Sequence, residues 1–476
     1  MPHFGAPTKK KSGFLIVRNA NCWFAAQANG LRYHEQKSGI LNEMTNGVVK
    51  DQEDHPDQWS LCARSELVGV TGLALAVRLA WVWFGGWVAG DSAWYLNVAR
   101  NLVFNHVFGT GTEGANLAPT AFRPPIYSVV IALLWFGDSA PIFAVLLLQV
   151  VLGTATVALC YLIARDQFDR RVALLAATGM ALAPMTGHFT AVILSETLFT
   201  FLLTLGVFFW GRQRYVATGL IFGLAALTRV TVLPFVVLLP LLTLLGPWRS
   251  YRRGYLMIAV LSFAVASIWI VRNVVVFHRF IPVAASGSGT NLLIGSMEIS
   301  EADDVAARKA LLRGVDTAAG PQSNDETEFD RVRLRAALRR IADNPGHWLV
   351  VRAQQYPRLF VDSGSYLFGN DGIPFRAAIR EGRIGQVLVR TGFIAGNLLV
   401  FLLALVGVVS ERRRFVELSH LILFPIFLAA ISFPLWIEPR YGLPMMPLVA
   451  ILSAAGMIHV WKSVRRRAAA TTAHDT

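Results

Sequence analysis

Long apolar runs separated by short basic clusters set the pattern of this chain. From Pro125 to Ala164 the only charged residue is Asp138. Val172–Leu194, Thr197–Trp210, Val216–Leu245, Leu256–Val276, Val387–Val409 and Leu418–Leu435 carry at most one charge each, and Leu67–Ala89 carries only Arg78. About 20 apolar residues cross ~30 Å of hydrocarbon, and a helix satisfies its own backbone hydrogen bonds there. The pattern predicts an all-α membrane protein of about ten spans. Their expected ranges are 66–89, 139–164, 172–192, 194–211, 215–230, 231–247, 254–277, 387–409, 416–435 and 441–461. Pro125–Gly137 is too short to cross comfortably and reads as a re-entrant or juxtamembrane helix on the outer face.

The polar stretches divide the chain. Residues 1–62 read as a cytoplasmic tail, with Leu67–Val88 as a signal anchor. Residues 63–279 form an N-terminal membrane core, 280–386 a soluble insertion, 387–464 the C-terminal spans and 465–476 a second tail. Within the core, the first outer loop is 90–123. Trp94, Tyr95, Val98, Leu102 and Val103 recur there at helical spacing, which predicts a helix lying in the interface plane. Gly109, Gly111 and Gly114 are expected to loosen the chain beyond that helix. In the insertion, Phe329, Val332, Leu338 and Ile341 mark an amphipathic helix, Asn344-Pro345-Gly346 breaks it, and Trp348, Val351 and Tyr356 mark a second. No internal repeat is evident.

Charge placement sets the expected topology. The net charge is +14. Basic residues cluster between runs, as in Arg165/Arg170/Arg171, Arg249/Arg252/Arg253, Arg412/Arg413/Arg414 and Lys462/Arg465/Arg466/Arg467. If each marks a cytoplasmic loop, both termini face the cytoplasm. Such dispersed charge argues against nucleic-acid binding. Of the three cysteines, two precede the first span and Cys160 lies in another, so no disulfide framework is implied.

The same topology gathers ionisable groups on the outer face. Asp91 follows the first span, Arg123 precedes a Pro-Pro pair, and Glu196 sits where two spans turn. Arg229 and Arg272 end spans, while Glu438 and Arg440 lie between the last two. Ionisable groups at membrane depth are expensive and are functional candidates by default. A carboxylate can deprotonate a hydroxyl, and arginines bind phosphate oxygens bidentately. Together they suit transfer of a group from a lipid phosphate to an alcohol. Plainer readings stand beside these: Asp91 as an ordinary interface residue, Glu196 as a helix N-terminal charge, Arg229 and Arg272 as snorkelling side chains, Arg440 as a structural partner of Glu438. His106, His188 and His278 fall on the outer side without metal-ligand spacing.

Five motifs, in order, carry a resemblance. They are Asp91-Ser92-Ala93-Trp94-Tyr95 with Ala99, Arg123-Pro124-Pro125-Ile126-Tyr127, Pro184 followed by Ser195-Glu196-Thr197-Leu198, Gly223 to Arg229, and Glu438-Pro439-Arg440-Tyr441 with Pro444 and Pro447. This set resembles the GT-C glycosyltransferases over roughly residues 66–460. The branch is that of protein O-mannosyltransferases, the lipid A aminoarabinose transferase and rhizobial lipopolysaccharide galacturonosyltransferases. The resemblance implies a GT-C helical bundle and a polyprenyl-phosphate sugar as donor. It implies Asp91 as catalytic base, arginines such as Arg123 and Arg440 near the lipid phosphate, and Glu196 as a secondary acidic residue. Tyr95, Tyr127, Arg229, Arg272, Glu438 and Tyr441 complete the expected substrate-binding set. No lysine stands in the first loop, where some relatives place a phosphate ligand. No cofactor is implied; the family does not uniformly require a divalent metal, which is left open.

The expectation is an inverting glycosyltransferase of the inner (cell) membrane with a periplasmic site. It would move one sugar to a hydroxyl of an envelope glycolipid, a lipopolysaccharide or a protein, in contact with membrane lipid. The rival is a transporter or flippase of lipid-linked or anionic cargo, which predicts broken spans near the bilayer centre and inverted halves.

Overall fold

The computed structural model describes residues 56–472, apart from 86–87, 89, 113–114, 285–286, 318–325, 365–366 and 368–374. The expected N-terminal tail therefore lies almost wholly outside the described residues. The first helix, α1 (Pro56–Phe84), begins ten residues before the expected span at 66.

The segment expected as the first outer loop continues as α2 (Ser92–Phe104), β1 (Gly109–Thr112), β2 (Ala115–Pro119) and α3 (Ile126–Leu133). The amphipathic helix is where the periodicity places it. Gly109 and Gly111 correct the expectation of a loosened chain, because they lie in an antiparallel hairpin pairing Gly109 with Pro119 and Thr110 with Ala118, while Gly114 lies outside the described residues. Gly111 has φ +102°, and a Cβ there would lie 2.2 Å from Asn116 O. Asn101 Nδ2 donates to the carbonyls of Gly109 at 3.0 Å and Gly111 at 3.1 Å, which docks the hairpin on α2.

The bundle continues as α4 (Ile142–Gln167), α5 (Arg170–Leu182), α6 (Pro184–Thr190), α7 (Glu196–Gly211), α8 (Tyr215–Ala226), α9 (Val232–Leu242) and α10 (Arg252–Phe277). The insertion holds α11 (Ser288–Gly295), α12 (Ile299–Asp303), α13 (Val305–Asp316), α14 (Glu326–Asp343), α15 (Pro345–Gln355) and α16 (Phe375–Arg380). Asn344 separates α14 from α15 and caps α15, its Oδ1 accepting from His347 N at 3.1 Å. The C-terminal part is α17 (Ile384–Ser410), α18 (Ser419–Ser432) and α19 (Met446–Thr472).

Every expected span falls on a helix, but ten crossings are not established. Among the described residues five helices are long and apolar enough to cross a membrane, six if the α5–α6 pair, bent by 53°, is one span. The protein is a multi-pass membrane protein by this measure. Helices α7, α8, α9 and α18 are apolar but only 11 to 16 residues long, about 17–24 Å at 1.5 Å per residue. The bend at 183 comes from Pro184, which cannot continue the hydrogen-bond ladder of α5. At the C-terminus α19 runs past the expected boundary at 461 through a helix-favouring arginine and alanine stretch.

Helix α19 is central and α17 peripheral: 72% of the apolar window of the span containing α19 is buried, against 11% for α17. The outward face of α17 presents Leu398, Leu399, Leu402 and Leu405, a surface suited to lipid. The two helices meet at Gly407 and Gly456, where an added Cβ would lie 2.1 Å from Leu452 O and 2.0 Å from Leu403 O. Only glycine permits that approach, as in other small-residue helix contacts in membranes.

Candidate active site

Asp91 occupies the N-cap position of α2, yet its side chain makes no cap hydrogen bond. The carboxylate is therefore left for groups from elsewhere. Arg123, from the segment between β2 and α3, places Nη2 2.9 Å from Asp91 Oδ1. Arg440, from the turn between α18 and α19, places Nη2 3.1 Å from Oδ2. Both carboxylate oxygens are held by guanidiniums brought from 32 and 349 residues downstream. Burial alone would raise the Asp91 carboxyl, but the fields and hydrogen bonds of Arg123 and Arg440 outweigh it and hold the group below its ordinary value.

Arg440 is the hub of the network. Its Nε pairs with Glu438 Oε2, and its Nη1 lies 3.8 Å from Glu196 Oε1. Arg229 Nη1 reaches the same Glu196 oxygen at 3.0 Å. Glu196 opens α7 and is 3% exposed. The plain reading of Arg440 as a partner of Glu438 is thus correct and incomplete. Three carboxylates and three guanidiniums form one connected set, with formal charges that cancel.

Aromatic residues shape the surround. Arg123 lies over the rings of Trp94, Tyr95 and Phe122 at 5.7, 5.2 and 5.6 Å. Tyr95 OH accepts from Arg123 Nη1 at 3.3 Å and donates to Ser195 Oγ at 3.2 Å, joining α2 to the turn before Glu196. Tyr127 meets Tyr95 edge-on, their ring centroids 4.9 Å apart, and donates to Gln149 Oε1 at 2.6 Å. Complete burial pushes the Tyr127 phenol well above its ordinary value, so it stays a donor. Tyr441 lies beside Arg229 and Arg440, its ring 5.7 Å from each.

Arg272 stands apart from this set. Its Nη1 donates to Thr120 O at 3.0 Å and its Nη2 to Phe108 O at 3.1 Å, bracing the outer loop on α10. Neither Asp91 nor Glu196 is paired with it. Sequence reasoning passed over Gln149 and gave Ser195, quoted in the Glu196 motif, no role of its own. Gln149 Nε2 takes the carbonyls of Thr190 and Val192 at 2.8 and 2.9 Å, groups released where α6 ends. An amide inside an otherwise apolar run was its only signal. Among the described residues no group of three His, Cys, Asp or Glu side chains could hold a metal ion.

Known proteins share this arrangement of helices. Residues 123–271 match the family described as dolichyl-phosphate-mannose-protein mannosyltransferase. That stretch contains Arg123, Tyr127, Glu196 and Arg229. No curated protein sequence matches. An Archaeoglobus fulgidus oligosaccharyltransferase, tethered to an acceptor peptide containing the NVT sequon, matches with TM-score 0.50 and 14% identity, over 85% of this chain and 50% of that one. The fold is that of the GT-C glycosyltransferases. The chain spans about half the length of the archaeal oligosaccharyltransferase chains it matches. ArnT from Cupriavidus metallidurans, bound to undecaprenyl phosphate, is 17% identical over 85% of this chain and 78% of that one, with TM-score 0.35.

Proposed function

We propose that this GT-C chain is an inverting glycosyltransferase. It moves a sugar from a polyprenyl-phosphate carrier to a hydroxyl of an envelope glycolipid, a lipopolysaccharide or a protein, at the periplasmic face of the inner membrane. The environment of Asp91 carries the reading: a carboxylate free of its own helix, gripped by two arginines from distant segments. The mannosyltransferase family match over residues 123–271 supports it.

In this reaction the acceptor oxygen bonds to the anomeric carbon from the face opposite the phosphate. The bond from that carbon to the phosphate oxygen breaks, and its electron pair leaves on the phosphate. The acceptor proton passes to Asp91, the general base. The phosphate is a weak base and leaves without a protonating acid, unlike the leaving group in glycoside hydrolysis. Its charge grows from one to about two negative units as it leaves. The resting network has no net charge to offset that growth. Protonation of Asp91 changes this, because a neutral Asp91 gives up its claim on Arg123 and Arg440. The two guanidiniums are released toward the phosphate as its charge builds, which is stabilisation aimed at the transition state. Glu196 and Glu438 keep Arg229 and Arg440 in place. The 280–386 insertion covers the acceptor side.

The test is transfer by full-length protein in lipid nanodiscs, with radiolabelled undecaprenyl-phosphate mannose, glucose, galacturonic acid and aminoarabinose as donors and isolated envelope glycolipid as acceptor. Asp91→Asn is expected to lower transfer at least about 100-fold while undecaprenyl phosphate still binds. Unchanged turnover refutes the assignment of the base. The bent α5–α6 pair is the one observation that favours a transporter, since transporters use broken helices at their sites. Here Thr186 Oγ1 takes the carbonyls of Met180 and Ala183 at the break itself, and Gln149 takes those where α6 ends while it holds Tyr127. A transporter would move labelled lipid across vesicles and form no new glycosidic bond.

A further inference from the structure

The turn that carries Glu438 and Arg440 is gripped on both sides by the soluble insertion. Before it, Arg352 of α15 donates through Nη1 to Leu435 O, and Trp436 N donates to Asn291 O of α11 at 2.9 Å. Gly295 lets α11 press against the same backbone, since a Cβ there would lie 2.9 Å from Trp436 N. Arg308 of α13 lies over the Trp436 ring at 4.7 Å. Beyond the turn, Gly442 packs on the carbonyl of Leu359, just after α15, where a Cβ would come within 2.5 Å. Glu438 and Arg440 lie between these two grips.

Arg352 is an expensive way to hold a carbonyl. It is fully buried, its Nη2 is spent on Gln355 Oε1, and Gln355 Nε2 reaches Met297 O at 3.5 Å. Among the described residues it has no carboxylate partner, and its Nε has no acceptor. Burial pulls the guanidinium down to about 10, so it keeps its charge at neutral pH. A buried charge without a counter-ion costs stability, and an apolar side chain of similar size would be cheaper there. The return is a fixed position for Leu435, three residues before Glu438.

We propose that Arg352 is a positioning residue, and that α11, α13 and α15 form a clamp that sets Arg440 against Asp91 and Glu196. The insertion is then part of the machinery that places the phosphate-binding arginine, and not only a cover over the acceptor. This rests on the glycosyltransferase reading for its kinetic consequence but not for its structural one.

Arg352→Met in full-length protein in nanodiscs tests it by two independent readouts. Hydrogen exchange at the Trp436 and Tyr441 amides is expected to quicken at least about tenfold, while exchange in α4, α7 and α19 is unchanged. The value of kcat is expected to fall roughly 10–100-fold, as for a catalytic group displaced by about 1 Å, with the KM for donor within about threefold. The acid limb of the pH profile moves up, because Asp91 keeps Arg123 and loses the field of Arg440, with Glu196 and Glu438 the other charges facing it. Arg352→Lys, whose ammonium can still donate to Leu435 O, restores most of both. Unaltered exchange at Trp436 and Tyr441 overturns the proposal, as does a kcat within twofold of wild type in a protein otherwise active. If wild type transfers no sugar from any donor while the variant's exchange rises, the clamp stands and the activity reading falls. Should Arg352→Met not fold, Gln355→Leu removes one anchor, keeps the charge and is read by the same criteria.

Discussion

Removing Arg440 separates two effects that a single rate would merge. Its Nη2 lies 3.1 Å from Asp91 Oδ2, with the two side chains 19% and 30% exposed. Unit charges about 4 Å apart interact by about 4 kcal/mol at an effective dielectric constant near 20. Partial exposure and the remaining partner Arg123 reduce this to roughly 1–2 kcal/mol. Arg440→Met is therefore expected to raise the Asp91 pKa, because one of the two fields that hold it down is removed. The sign is set by the role of the carboxylate. A base works when ionised, so activity holds above its pKa and is lost as pH falls through it. A raised pKa moves that loss to higher pH.

The assay is kcat/KM for sugar transfer against pH in nanodiscs, with thermal unfolding at each pH to exclude denaturation. The acid limb should move to higher pH, and the plateau should drop about 100-fold through loss of a phosphate-stabilising donor. Arg123→Met should move the limb the same way. A limb that stays in place or moves to lower pH in either variant refutes the argument that these arginines set the ionisation of Asp91. A lowered plateau with an unmoved limb would leave Arg440 as a phosphate ligand alone.

Other contacts give three more outcomes. Glu196→Gln removes a negative charge that Arg440 shares at 3.8 Å, so the acid limb should move to lower pH, opposite to Arg440→Met. Arg272→Met releases the carbonyls of Phe108 and Thr120, two bonds to a charged donor together worth roughly 3 kcal/mol or more; limited proteolysis should cut faster within 105–123. Gly407→Ala forces a Cβ to within 2.1 Å of Leu452 O, an overpacking cost of about 1–3 kcal/mol, and should lower the melting temperature in detergent without moving the pH profile.

The helices were legible because apolar run length reports a helix directly. The run 387–409 became α17 at Ile384–Ser410, and Asn344-Pro345-Gly346 broke the insertion helices where expected. Asp91, Arg123, Glu196, Arg229, Glu438 and Arg440 could be gathered by counting which ends of the runs share a face. What stayed hidden depends on partners distant in sequence. Glycines 109 and 111 look like slack until the hairpin partner is known. Gln149 and Ser195 acquire a purpose only when Tyr127 and Tyr95 are brought to them. Arg272 has the same local surroundings whether it points at a phosphate or at two loop carbonyls. The bend in α5–α6 was signalled by Pro184, but its angle is set by packing, and packing has no local signature.

On the proposed mechanism Asp91 is a base clamped by two arginines, which leaves it poorly prepared to accept a proton. The charge count resolves this. With three carboxylates against three guanidiniums, the network needs no counter-ion and can sit partly buried at modest cost. A donor phosphate adds one negative charge and competes with Asp91 for Arg123 and Arg440. Whatever share it takes from them raises the affinity of Asp91 for a proton. On this proposal donor binding would make Asp91 a stronger base before any bond breaks, and an acceptor alone would meet a weakened one. The same coupling runs backward after transfer, since the departing phosphate holds the arginines until Asp91 loses its proton. Undecaprenyl phosphate should therefore dissociate faster as pH rises through the Asp91 pKa of the product complex, because the ionised carboxylate then reclaims both guanidiniums.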